Sequence, residues 1–468
     1  MYILRQTGAT EATASQQSSF LAGFGQGDIT PDFPVGLSGY GDEKTRISEG
    51  ILTRIYALVL AVTDAEGNSA ILMSLDLAAT DNTFYNSMVE FCKTEYNIPK
   101  ENVIVSSIHQ HSVPVNSSEY IKYITPIAKE AITQAMNDRA PAEIYINVAQ
   151  TRALNFVRHY WNAEGQMYTP NYGTVGSGLV SHESEADNEM QLLKFVRGED
   201  KKDILITNFR AHPIMAPNTS YKSISADWPG AMREYVKEEL GCNVIYFSGA
   251  GGNINSFSEI PEENALKDYS KDYKGHGKRA ANFVVKAEDS YTKVEAGTVK
   301  GYQVVNEYAT DHSMDHLYDI AKPIAEMYKT DFAKAKEMAA KYPEFHSVYH
   351  AKNIASKAEA AASRNLPLTV VTFGDVAFTS HAYEMFDTNG MELKYGTVGN
   401  ENYAAEDQLE NPFKMTIIAT CSNGHNGYLP SALNCKNGGY SVDITYFAHG
   451  TAERLVADYL KILNDLHG

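Results

Sequence analysis

Apolar positions along this chain alternate between short continuous runs and longer stretches with a 3.6-residue period, and several of the runs stop abruptly at polar, metal-capable residues. Residues 102–108 lead into His109, Gln110 and His111. Residues 204–209 lead into Arg210 and His212. Residues 376–380 lead into His381, Tyr383 and Glu384, and residues 416–421 into Asn423, His425 and Tyr428. Runs of this length predict buried strands, and sites in α/β proteins gather at the carboxyl ends of strands. Four distant parts of the chain are thereby predicted to converge on one centre.

The remaining pattern fills in around these runs. Residues 54–63 and 69–75 read as a hairpin, joined by a turn that contains Gly67. Residues 82–96 and 119–137 carry helical periodicity. Residues 228–240 form another helix, with Asp227 and Pro229 as start signals and Gly241 as a stop. A short strand at 243–247 precedes a glycine turn at 249–252. Residues 256–291 read as mostly helical. So do 331–340, 354–363 and an amphipathic closing stretch at 451–466, and Glu384 is placed at the opening of a helix. Strands and helices interleave throughout, which predicts an α/β or mixed α+β fold in one large domain spanning 21–468. Residues 1–20, rich in Ser, Thr, Gln and Ala, are expected to be a disordered leader.

Composition narrows the function class. The 468 residues are 43% hydrophobic, enough for a large core, and carry a net charge of −18. That balance argues against a nucleic-acid partner, because phosphate binding needs a clustered basic face. Cys92, Cys242, Cys421 and Cys435 lack CxxC spacing, so they read as buried free thiols rather than a disulfide framework or a cysteine zinc site. No apolar run approaches the roughly 18 residues of a membrane span. The N-terminal stretch has no apolar signal region. The expectation is a soluble protein, either cytoplasmic or secreted with its signal segment absent from this chain, of open oligomeric state.

On an extended segment His109 and His111 would face the same way, which suits one ligand beside an acid/base group. Each histidine alone is more commonly a surface or hydrogen-bonded core residue, and Glu384 alone is a helix-start carboxylate. Together, histidines, a glutamate and a tyrosine suit a borderline cation such as Zn²⁺. The turn from Gly249 to Asn253 lacks both GxGxxG spacing and a P-loop lysine, which disfavours a nucleotide site. Its glycines instead suit backbone N–H donation to an oxyanion. His312 and His316 stand four apart but lack the HExxH glutamate, and read as a solvated face.

In order, these segments resemble the catalytic domain of the neutral (neutral/alkaline, non-lysosomal) ceramidase family. Gly25 to Pro31 is similar to that family's GxxDIT opening. Ser107 to Pro114 resembles its THTHSGPG, Asn208 to Pro213 its WFAVHPTS, Ser225 to Gly230 its SxDNxG, and Asn423 to Tyr428 its NxYxxY. The similarity runs from about Phe20 to Gly468. It implies a zinc-dependent amidase fold without the family's appended immunoglobulin-like domain. Carried over residue by residue, it implies His109, His212, Glu384 and Tyr428 as zinc ligands and His111 as a neighbouring acid/base group. Arg158, in Asn155-Phe-Val-Arg-His, matches a family arginine that faces the substrate.

One departure matters most. The family's nucleophilic serine lies in GDVSPN, whereas residues 252–257 here read Gly-Asn-Ile-Asn-Ser-Phe. Asn255 takes the serine position, Asn253 replaces the aspartate, and Ser256 is one residue out of register. An amide cannot act as an oxygen nucleophile. The expected activity is therefore zinc-dependent hydrolysis of a non-peptide amide bond by metal-activated water, with Asn253 and Asn255 as oxyanion donors. Weak turnover of long-chain ceramide is expected, and better turnover of smaller acyl amides. Ester or lactone hydrolysis on the same metal, or a catalytically inactive ligand-binding homologue, are the alternatives.

Overall fold

The computed structural model describes residues 20–40, 44–172, 178–198, 200–260, 262–263 and 272–467. A nine-stranded sheet runs in the order Asn243–Ser248, Ile204–Phe209, Glu189–Arg197, Ala140–Gln150, Leu21–Asp28, Tyr56–Thr63, Ser69–Leu75, Val103–Ser107, with Thr292–Val294 pairing beside Ala140–Gln150. A second sheet has the order Val299–Ala309, Ser363–Phe373, Val376–His381, Met415–Thr420. The two sheets face each other across one apolar layer that includes Leu60, Phe195, Ile206, Phe247, Phe373, Phe378 and Ile417. Helices Asn82–Tyr96 and Ser118–Asn137 cover one part of the larger sheet's outer face. Helices Asp227–Leu240 and Tyr273–Lys286 cover another. The closing helix Thr451–His467 covers the outer face of the smaller sheet. The mixed helix-and-strand architecture is the expected one.

Three parallel pairs matter for the site: Ser69–Leu75 with Val103–Ser107, Ile204–Phe209 with Asn243–Ser248, and Val376–His381 with Met415–Thr420. Their carboxyl ends come together where the sheets meet. There, polar ties replace apolar packing. Asn208 Nδ2 donates to the Ile418 carbonyl at 2.9 Å, and the Val105 N–H to Asn423 Oδ1 at 2.9 Å. Buried hydrogen bonds of this kind fix the register of one sheet on the other, because a shifted pairing would leave polar groups unsatisfied.

Several expected elements change. The hairpin and the helices at 82–96 and 119–137 form within a residue or two of the expected bounds. The helix expected at 354–363 is Val348–Ala358, started by the Ser347 side chain, and Ser363 already opens a strand. Of residues 256–291 only Tyr273–Lys286 is α-helical, capped by Asp272, while 261 and 264–271 lie outside the described residues. Glu384 does not open a helix. It pairs in parallel with Tyr428, and the helix begins at Asp387. Asp227 is a start signal of another kind: it sits inside the first turn at φ 51° and accepts the N–H groups of Ala216 and Trp228. Of the expected leader, residues 1–19 lie outside the described residues, and Phe20 belongs to the core.

Candidate active site

The polar residues that follow the strands meet around the carboxylate of Glu384, which is 3% exposed. Glu384 Oε2 stands 3.2 Å from His109 Nε2 and 3.2 Å from His212 Nε2. The other ring nitrogen of each histidine is tied to a backbone carbonyl, His109 Nδ1 to Ala78 at 2.9 Å and His212 Nδ1 to Ile254 at 2.6 Å. A ring nitrogen facing a carbonyl carries a proton, so in the neutral ring each Nε2 is the lone-pair atom a cation would take. His212 Nε2 in addition faces the N–H of Arg210 Nη2 at 3.1 Å. Two lone pairs thus point at one carboxylate oxygen, and that buried oxygen has no hydrogen-bond partner. Arg210 offsets this meeting of acceptors in part, and a bound cation would satisfy all three. The donor set of two imidazoles, a carboxylate and a neighbouring phenol fits a zinc-class divalent ion.

The sequence places these groups by local means. His109 follows its strand at φ 59°, so the segment is not extended as expected. The left-handed turn itself, rather than a shared strand face, brings the His109 and His111 rings to 4.8 Å. Cys421 and Asn423 are also left-handed, at φ 51° and 54°. Non-glycine residues in that region each carry strain of about 1 kcal/mol or more, and such residues cluster at functional sites. Gly252 lets the backbone approach: a Cβ there would lie 2.6 Å from the Glu384 carbonyl oxygen and 3.1 Å from the Tyr428 ring.

Each expected site residue has a definite position. His111 packs its ring 5.6 Å from that of His212 and leaves its buried Nδ1 without a partner. Burial, then the neighbouring His109, hold His111 well below the usual imidazole range, so it is neutral. Burial likewise holds His212 well below that range, with the Arg210 charge adding to it. Tyr428 lies across a parallel ladder from Glu384, so their side chains share a face. Burial, then the Glu384 charge, push its phenol up to about 12. Arg158 is buried over the Tyr428 ring, with Cζ 5.3 Å from the centroid, and its Nη2 donates to the Gly252 carbonyl at 2.7 Å and Ser441 Oγ at 2.9 Å.

The expected oxyanion donors are spent elsewhere. Both Gly251 N–H and Gly252 N–H donate to the Met385 carbonyl, at 2.7 and 2.8 Å. Asn253 Nδ2 donates to Asp387 Oδ1 at 2.7 Å, and Asn253 Oδ1 accepts the Asp387 N–H at 3.1 Å. Asn255 is different: it is buried, bridges His212 through the backbone, and leaves Oδ1 without a partner. Ser256 Oγ donates to the His212 carbonyl at 2.6 Å and does not enter the site.

Sequence reasoning gave no ligand or catalytic role to three residues at the ends of the apolar runs, Arg210, His425 and Cys421. Arg210 Nη2 lies 3.6 Å from Glu384 Oε2, and its Nη1 donates to Ser248 Oγ at 2.5 Å. His425 stacks on His109 at 6.1 Å with Nε2 3.7 Å from Glu384 Oε1. Desolvation works against a charge on His425, which is exposed on one side, but the neighbouring Cys421 and Glu384 raise its pKa to about 10. Cys421 Sγ approaches His109 Nδ1 at 3.7 Å. Burial would raise that thiol, yet His109 brings it down to about 7. Arg210 and Cys421 were visible as the residues that end two of the apolar runs.

Comparison with known proteins places the chain in a family. The chain is 25% identical over 238 residues to neutral ceramidase 1 of Arabidopsis thaliana, covering 47% of this chain and 29% of that protein. It is 29% identical over 257 residues to a neutral ceramidase of Drosophila melanogaster, covering 51% of this chain and 35% of the relative. The matched stretch thus spans about a third of the length of these relatives. The fold matches the crystal structure of neutral ceramidase from Pseudomonas aeruginosa with a TM-score of 0.69 at 14% identity, over 96% of this chain and 74% of that one. A ceramidase complexed with C2 matches with a TM-score of 0.66 at 15% identity. Among the described residues no helix is long and apolar enough to cross a membrane. Residues 20–264, just over half of the chain, match the sequence model for "Neutral/alkaline non-lysosomal ceramidase, N-terminal", and with the fold shared beyond that stretch the chain belongs to the neutral/alkaline non-lysosomal ceramidase family.

Proposed function

We propose that this protein is an amidohydrolase that cleaves the amide of an N-acylated amine of the ceramide class, using a zinc-class cation held by His109, His212, Glu384 and Tyr428. The observation that carries the reading is the buried Glu384 Oε2, without a hydrogen-bond partner and faced at 3.2 Å by the Nε2 atoms of His109 and His212. A divalent ion bound there supplies Lewis acidity to a carbonyl oxygen and acidifies a water. The chain's own groups do the rest. His111, neutral and with a partnerless Nδ1, takes the proton of the attacking water and returns it to the leaving amine. Asn255 Oδ1 accepts a hydrogen bond from the substrate amide N–H, which orients the scissile carbonyl. Arg158, anchored on Gly252 and Ser441, supplies positive charge beside Tyr428 and the developing oxyanion. Asn253 acts through Asp387 as a positioning residue.

A zinc-replete preparation should hydrolyse at least one member of a panel of long-chain ceramide, short acyl amides and the matching esters, and chelation should abolish the turnover. Turnover that survives both chelation and His212→Ala would refute the proposal. The Asn255 amide favours a second reading, a ligand-holding homologue. Full zinc occupancy with no turnover of any amide or ester would establish that one instead.

A further inference from the structure

A helical lobe is inserted at the tip of a long hairpin. Strands Val299–Ala309 and Ser363–Phe373 pair antiparallel along their whole length, and helices Tyr318–Tyr328, Phe332–Ala339 and Val348–Ala358 lie between them. The lobe has its own apolar cluster, built from residues such as Leu317, Ile324, Phe345, Val348 and Ile354. Its seam with the rest of the molecule is polar. His350, Asn353 and Lys357 recur at spacings of three and four, which puts them on one face of the last helix, and His346 stands just before its cap, Ser347. His350, Asn353 and Lys357 are buried. Lys357 pairs with Asp311, and Asn353 Nδ2 donates to the Asp443 and Thr445 carbonyls at 3.0 and 2.8 Å.

That leaves two imidazoles around one carboxylate. His346 Nδ1 is 2.9 Å and His350 Nδ1 3.9 Å from the same oxygen, Asp443 Oδ2. The candidate ligand atoms of all three residues lie within 4.8 Å of one another. The two rings stack at 5.1 Å, 29° apart. His350 Nδ1 accepts the His346 backbone N–H at 3.4 Å, so it is the unprotonated nitrogen, and a cation there would take the place of that long hydrogen bond. Ligand atoms bound at about 2.1 Å around a tetrahedral ion stand about 3.4 Å apart. The distances of 2.9 and 3.9 Å bracket that spacing. A protonated His346 paired with Asp443 would account for one imidazole. It gives no reason for a second ring buried against the first.

We propose that His346, His350 and Asp443 form a second divalent-cation site, with a water as fourth ligand on the solvent side of His346. Two imidazole donors select a zinc-class ion over Mg²⁺ or Ca²⁺. The site staples the lobe to the segment that positions the candidate catalytic groups. Ser441, two residues before Asp443, accepts the Arg158 hydrogen bond, and Thr445 Oγ1, two residues after it, donates to the Tyr428 carbonyl at 2.8 Å.

The test is Zn²⁺ stoichiometry and thermal unfolding on the full chain. Wild type should bind two equivalents, His212→Ala one, His346→Ala one, and the double variant none. In the His212→Ala background, added Zn²⁺ should raise Tm, and Co²⁺ should give the visible absorption of a tetrahedral ion. His346→Ala or Asp443→Asn should remove both signals and weaken the affinity at least ~10-fold. A single wild-type equivalent that His212→Ala abolishes would overturn the inference. So would a second equivalent that neither His346→Ala nor Asp443→Asn disturbs.

Discussion

Glu384→Gln tests the ligand assignment, because the structure gives this carboxylate two separable roles. Without metal it neutralises Arg210, 3.6 Å away, with both side chains 3% exposed. At an effective dielectric of 20 that separation corresponds to about 4.6 kcal/mol of gross attraction, and desolvation of both groups offsets part of it. Removing one partner of a buried pair destabilises by roughly 3–5 kcal/mol. Arg210 keeps its bonds to Ser248, Gly251 and Ile108, so the lower end, about 3 kcal/mol, is expected. With metal, loss of an anionic ligand should weaken binding about 100-fold, and at saturating zinc that ratio adds about 2.7 kcal/mol to the difference. Denaturant unfolding should therefore separate wild type from Glu384→Gln by about 3 kcal/mol in chelator and about 6 kcal/mol in excess zinc. Competition with a chelating dye reports the affinities independently. An equal difference in the two buffers, with unchanged dye competition, would show that Glu384 is a structural counter-ion and not a ligand.

Three further expectations are independent of that one. Ser256→Ala should keep most activity while losing about 1 kcal/mol, because its hydroxyl is spent on the His212 carbonyl; an acyl-Ser256 adduct in a mass spectrum would contradict this. Gly252→Ala should lower Tm and metal content together, by about 1–3 kcal/mol of overpacking against Glu384 and Tyr428; an unchanged metal content at reduced Tm would uncouple the two. Burial pushes Asp227 and Asp387 up to about 6, above the roughly 3.9 of an unfolded chain. A raised folded pKa favours the protonated form, so each contribution is complete below about pH 3.9 and is lost as pH rises through about 6, up to about 3 kcal/mol per group. Asp227→Asn should remove its share of that slope in pH-dependent unfolding, and a slope identical to wild type would refute the assignment.

Local signals carried much of this fold into the sequence. The hairpin at 54–75 and the helix at 82–96 were legible because their apolar periods and turn residues agree with one another. The convergence of His109, His212, Glu384 and Tyr428 was legible because each follows its own buried strand. What failed depended on partners far away in the chain. Glu384 looks like a helix start until Tyr428 pairs with it. The Gly251 and Gly252 amides look like free donors until Met385 accepts them, and Asn253 until Asp387 bridges it. The seam containing His346 and His350 escaped notice because a buried polar stripe carries no apolar period.

The proposed metal site and the reading of Asn255 bear on each other through backbone energetics. His109, Asp227, Cys421 and Asn423 all adopt left-handed backbone conformations near strand ends. Each costs of order 1 kcal/mol or more, and the contact of three acceptors at Glu384 Oε2 is unfavourable without a cation. The polar ties between the sheets hold these groups in place regardless. Such strain persists where the surrounding structure over-determines it, and the arrangement it maintains is the one a divalent ion satisfies. A serine nucleophile contributes nothing to that balance. On the proposed reading, Asn255 in the place of that serine leaves the strained cradle intact, and a chain without need of metal would be expected to relax Glu384 or its histidines before anything else. The cradle is the physical support for the proposal that chemistry at this site would run on a bound ion and His111 rather than on a side-chain hydroxyl.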